Sequence, residues 1–134
     1  MAITSVHTLI YSDDAAATRT FLREVLGWPY VASGEPNAAS LDEDWLIFGS
    51  GRSELGVHPT MTVWEGEKYE SPRHHEIALM CDDIQATVAE LRGKGAEFNG
   101  EIADEGFGIG IKLKVPGADD ILLYQPRHAT AYDL

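Results

Sequence analysis

One short pattern occurs twice in this chain, 69 residues apart. The segment His7-Thr8-Leu9-Ile10-Tyr11-Ser12-Asp13-Asp14 joins an ionisable residue, a brief apolar run and two aspartates; Glu76 through Asp83 repeats the plan, with Glu76 in register with His7 and Asp83 with Asp14. Helical spacing follows each aspartate pair. A chain carrying this junction twice is constrained to a duplicated strand-then-helix unit, because aspartate caps orphan amide donors at helix starts and seldom sits inside a strand.

The first copy predicts a strand over Val6 to Ser12, with His7, Leu9 and Tyr11 on one side of the pleat. A helix follows from Ala15 to Leu26, ended by Gly27. Trp28 to Val31 and Trp45 to Phe48 read as short strands, and Glu54 to His58 as another, with Glu54 and His58 sharing a face. Residues 59–72 carry no clear period and read as a connection, which can lie over a site.

The second copy opens at His74. Ile77, Leu79 and Cys81 fall on one side of a strand, and Glu76, Ala78 and Met80 on the other, the side that His74 shares. A slip of one residue would exchange these faces and bring His75 to the site instead, so His74, His75 and Glu76 all stand as candidates. Ile84, Val88 and Leu91 mark one apolar stripe of a helix over 84–92. Alternation at Ile109, Ile111, Leu113 and Val115, and again from Ile121 to Tyr124, predicts strands whose Leu122 and Tyr124 share the face of Met80. A short strand is expected near Ala96 to Phe98.

Strand, helix, then strands, twice over, is an α+β arrangement. Its 134 residues suit one domain. A net charge of −12, from 22 acids against 10 bases, disfavours nucleic acid or an anionic membrane as partner, since phosphate binding needs clustered cations. No apolar run nears the roughly 20 residues of a membrane span, and nothing resembles a signal peptide, so a cytoplasmic protein is expected. The single cysteine, Cys81, reads as a structural thiol in a strand.

The His7-to-Asp14 and His75-to-Ile84 segments with their helices, Val115-Pro116-Gly117-Ala118-Asp119, and the closing Ile121-Leu122-Leu123-Tyr124-Gln125-Pro126 together resemble the vicinal oxygen chelate superfamily, which includes glyoxalase I, extradiol dioxygenases and bleomycin-binding resistance proteins. The resemblance covers essentially the whole chain. It implies two tandem βαβββ modules, about 1–60 and about 73–134 with a linker at about 61–72, forming a curved mixed sheet around a cleft, and it implies a homodimer. In metal-dependent relatives each module gives two ligands, and these positions fall here on His7, Glu54, Glu76 and Leu122. Leucine cannot ligate.

What remains is one imidazole and two carboxylates, His7, Glu54 and Glu76, a set suited to divalent iron, manganese, nickel or zinc with positions open for a substrate bearing vicinal oxygens. Glu76 and His74 are the candidates for moving protons. Tyr11, His58, Met80, Leu122 and Tyr124 are the candidate pocket lining, and Trp45 and Trp64 candidate wall or dimer contacts. Two functions are open: a metal-assisted lyase, isomerase or dioxygenase, and a metal-free protein that binds or sequesters a small antibiotic-like molecule. Discriminating them needs the site's geometry.

Overall fold

Asp14 and Asp83 start the two helices. In the computed structural model, which describes residues 7–32 and 46–134, the Asp14 carboxylate accepts the Ala17 N–H at 3.0 Å and opens α1 (Ala15–Thr20). The Asp83 carboxylate accepts the Ala86 N–H at 3.1 Å and opens α2 (Ile84–Gly93). Each satisfies a donor that a helix start leaves without an intrahelical partner.

The first helix continues as a π turn over Phe21–Val25, in which the Leu26 N–H reaches Phe21 O at 3.1 Å. The wider turn re-aims the side chains that follow it. Phe21 and Leu22, the first two residues of this turn, are both buried, and Gly27, at φ +67°, ends the element in the left-handed region.

Among the described residues eight strands form three sheets, five of them between the two helices in the chain and three after α2. β1 (Tyr30–Ala32) pairs antiparallel with β2 (Leu46–Phe48), and β3 (Met61–Trp64) with β4 (Glu67–Glu70). The principal sheet runs β5-β8-β7-β6, built from β5 (Ala78–Met80), β6 (Phe98–Asp104), β7 (Gly108–Leu113) and β8 (Ile121–Pro126). β5 is parallel to β8 and the other pairs are antiparallel, so the sheet is mixed and the class is α+β.

One face of this sheet is the core. Ile111, Leu113 and Leu123 pack with Ile84, Val88 and Leu91 of α2 and with Phe21 and Leu22 of the first helix, while Leu79 and Cys81 border the cluster. The alternation read from β7 and β8 therefore holds. Cys81 is the structural thiol expected: Sγ donates to Tyr124 O at 3.7 Å, and burial holds its pKa above the usual thiol range.

The first helix is tied to the turn between β7 and β8. The Thr18 hydroxyl, buried, donates to Pro116 O at 2.5 Å and lies within hydrogen-bond distance of the Ser12 hydroxyl at 2.7 Å, while the Asp13 N–H reaches Gly117 O at 2.8 Å. Gly117 has φ +80°, and a Cβ there would meet Asp14 N at 2.8 Å. The close approach requires glycine.

The expected first half differs more. Residues 7–12 and 54–58 have no strand pairing among the described residues, and residues 61–70, expected within a connection, form the β3–β4 hairpin. Alternation alone did not make Glu54 to His58 a strand, because no neighbour supplies a ladder and Leu55 and Val57 stay 81% and 88% exposed. The strand start at Val6, and Trp45, lie outside the described residues.

Candidate functional site

The face of the principal sheet turned away from the core carries the candidate site. Register places Ala78 and Lys112 beside Leu122, and Met80 and Gly110 beside Tyr124, so these side chains share one surface. Met80 and Leu122 are half-buried. Glycines let Tyr124 lie against its neighbour strand: a Cβ at Gly108 would come within 2.9 Å of the Tyr124 ring, and one at Gly110 within 3.1 Å of Tyr124 Cβ.

Tyr124 is only 8% exposed although it faces outward. Phe107 covers it edge-on, with ring centroids 5.2 Å apart, and His128 lies over it at 5.8 Å. His128 Nδ1 is 2.9 Å from Ala129 O, which fixes its proton there in the neutral ring, and Nε2 accepts the Tyr124 hydroxyl at 2.9 Å. Burial, then the nearby Glu54 charge, hold the Tyr124 phenol above its usual pKa.

Glu54 sits beside this pair. Its Oε1 is 3.8 Å from His128 Nε2, and its Oε2 accepts the Ala131 backbone N–H at 2.6 Å. Arg52, two residues earlier, pairs with Asp133 and lies over the Tyr132 ring at 4.6 Å. Segment 127–134 is thus fastened to residues 52–54.

A second polar group lies at the β5 end. His74 Nε2 is 2.8 Å from the Glu76 carboxylate and Nδ1 is 2.7 Å from Pro72 O, so acceptors face both ring nitrogens and favour the imidazolium. Its pKa is raised by Glu76 first and Pro72 O second. The same hydrogen bond from His74 lowers the Glu76 pKa, helped by the charges of Lys112 and His58.

The expected residues are therefore brought together in part. Met80, Leu122 and Tyr124 share a face, and His74 meets Glu76. Tyr11 is 89% exposed, and His7, His58 and His75 are exposed. The His7, Glu54 and Glu76 metal set is not assembled: no three His, Cys, Asp or Glu side chains among the described residues are grouped to hold an ion. The iron, manganese, nickel or zinc ion expected for that set does not fit these side chains as they stand, since Glu54 is engaged by Ala131 and His128 and Glu76 by His74. Sequence reading missed His128 and Phe107. His128 stands four residues after Tyr124, which was its only signal, and Phe107, far from Tyr124 in the chain, gave none.

Residues 4–113 match the sequence profile of the Glyoxalase/Bleomycin resistance protein/Dioxygenase superfamily. Among solved structures, the chain is similar to TnmS3, an antibiotic binding protein from Streptomyces sp. CB03234 (TM-score 0.54, 21% identity, 94% of this chain and 98% of that one). It is also similar to lactoylglutathione lyase from Agrobacterium tumefaciens (TM-score 0.52, 11% identity, 93% and 96%) and to a superfamily member from Sphaerobacter thermophilus DSM 20745 (TM-score 0.53, 17% identity, 93% and 99%). No curated protein matches. At these identities the structural likenesses speak for the fold.

Proposed function

Because the chain belongs to the Glyoxalase/Bleomycin resistance protein/Dioxygenase superfamily, we propose that it binds a small, flat, largely apolar molecule on the outward face of the principal sheet, held by packing and hydrogen bonds. The observation that carries this is the Met80, Leu122 and Tyr124 surface, which register sets on the side opposite the hydrophobic core. An apolar strip with a few polar groups at its edges is the usual composition of a small-molecule site. His74 and Glu76 form the polar edge and Lys112 lies next to Leu122, so a ligand with oxygen substituents is favoured over a plain hydrocarbon. The antibiotic-binding neighbour supports a binding role, and a cytoplasmic location is part of the proposal.

A second reading is a proton-moving enzyme, supported by the 2.8 Å contact between His74 and Glu76. A protonated imidazole beside a carboxylate can give a proton to a substrate oxygen and recover it. Homodimerisation is part of the proposal as well: Met61, Val63, Trp64 and Tyr69 of the β3–β4 hairpin are each half exposed or more, and a second copy would cover them.

Thermal unfolding with 2,3-dihydroxynaphthalene, a planar compound with vicinal oxygens, tests binding directly, since a ligand of the native state raises Tm. The wild type should be stabilised and Leu122→Glu should not, while keeping its own cooperative transition. Equal stabilisation of both would remove the sheet face from the account. Loss of turnover in His74→Ala with binding retained would favour the enzyme.

A further inference from the structure

The side chain expected to hold a metal instead holds the chain. We propose that segment 128–134 is a strap over the Tyr124 end of the ligand face, with Glu54 as its catch and residue 127 as its fixed end; this rests on the reading of that face as the binding surface.

Three features argue for it. The fixed end is secured independently of the catch, because the Arg127 N–H donates to Phe107 O at 2.8 Å and its guanidinium pairs with Asp104 at 2.5 Å. The free part is fastened by few and separable contacts: Ala131 N–H on Glu54, Asp133 and Tyr132 on Arg52, and His128 on Tyr124. Residues 127–134 form no strand or helix, and those holding them, Arg52 and Glu54, lie in a segment that forms none either. Such segments belong to the low-stability end of a structure and open without global unfolding.

The strap also accounts for an outward-facing tyrosine being buried. Removing His128 from over the ring would leave Phe107 on one edge and extend the strip of Met80 and Leu122 by an aromatic surface and a hydroxyl. A ligand competing for Tyr124 would displace His128, and the Glu54 catch sets how often the site is open beforehand. Occupied by Ala131 and His128, Glu54 is not available as a metal ligand while the strap is closed.

Amide hydrogen exchange on the full chain without ligand tests the catch apart from the binding reading. In Glu54→Ala the Ala131 amide should exchange on the order of tenfold faster, with α2 amides such as Val88 unchanged, and Glu54→Gln, which keeps an acceptor oxygen, should fall between. Arg52→Ala should loosen the same amide if Glu54→Ala folds poorly. Nitration of Tyr124 by tetranitromethane, mapped by mass spectrometry, should rise in parallel. Unchanged exchange and nitration in both Glu54→Ala and Arg52→Ala would overturn the strap. So would Mn²⁺ selectively broadening the signals around Glu54 while Ala131 stays protected.

Discussion

His74 and Glu76 are held as an ion pair, Nε2 to carboxylate at 2.8 Å, on the exposed side of the strand that begins at Ala78. The pairing raises the His74 pKa and lowers that of Glu76. Linkage then fixes a sign for each. The His74 contribution is complete below the ordinary imidazole value of 6.5 and is lost as pH rises through its higher folded pKa. The Glu76 contribution is complete above the ordinary carboxyl value of 4.5 and is lost as pH falls through its lower folded pKa. The pair thus supports the fold most between pH 4.5 and 6.5. In Glu76→Gln the His74 ring protons, followed by NMR, should titrate at lower pH than in the wild type; an unchanged midpoint would show that Pro72 O alone sets it.

Gly110 allows Tyr124 to lie across β7. A Cβ at this position would stand 2.9 Å from Leu123 O and 3.0 Å from Leu122 Cδ1, and a backbone oxygen in a paired strand has little room to move. Gly110→Ala should cost about 1–3 kcal/mol by overpacking, read as a lower midpoint in urea with an unchanged slope. Wild-type stability would mean that the strands separate more easily than their pairing suggests.

Thr18 joins the first helix to the β7–β8 turn through Pro116 O at 2.5 Å. Thr18→Val keeps the shape and leaves that carbonyl without its donor, so a loss of about 1–3 kcal/mol is expected, with Thr18→Ser recovering most of it. Equal denaturation midpoints for valine and serine would assign the whole effect to packing.

Leu113 is fully buried, between the sheet and α2. Leu113→Ala should cost about 2–5 kcal/mol through lost burial and the cavity left behind. A value near zero in chemical denaturation would contradict the assignment of the core to this face.

Which parts of this could be read from the chain follows from how local each signal is. Asp14 and Asp83 act on amides three residues away, so their caps were legible, as was the alternation that divides Leu122 and Tyr124 from Ile121 and Leu123. Glu54 to His58 has the same alternation and forms no strand, because a strand exists only with a partner and pairing is not a local property. The β3–β4 hairpin was missed for a related reason. Glu65-Gly66 makes its turn, both at positive φ, but the flanking Glu67-Lys68-Tyr69-Glu70 is too polar to show a buried face. Glu54 was singled out, yet its partners Ala131 and His128 lie more than 70 positions further along the chain, and no spacing rule brings them together.

The central claim is that ligand occupies the outward face of the principal sheet, and methyl NMR with 2,3-dihydroxynaphthalene addresses it most directly. Saturable shifts are predicted at the Met80 and Leu122 methyls, with Val88 and Leu113 on the opposite face unmoved. Saturable shifts confined to Val88 and Leu113, or to the β3–β4 hairpin, would contradict the account.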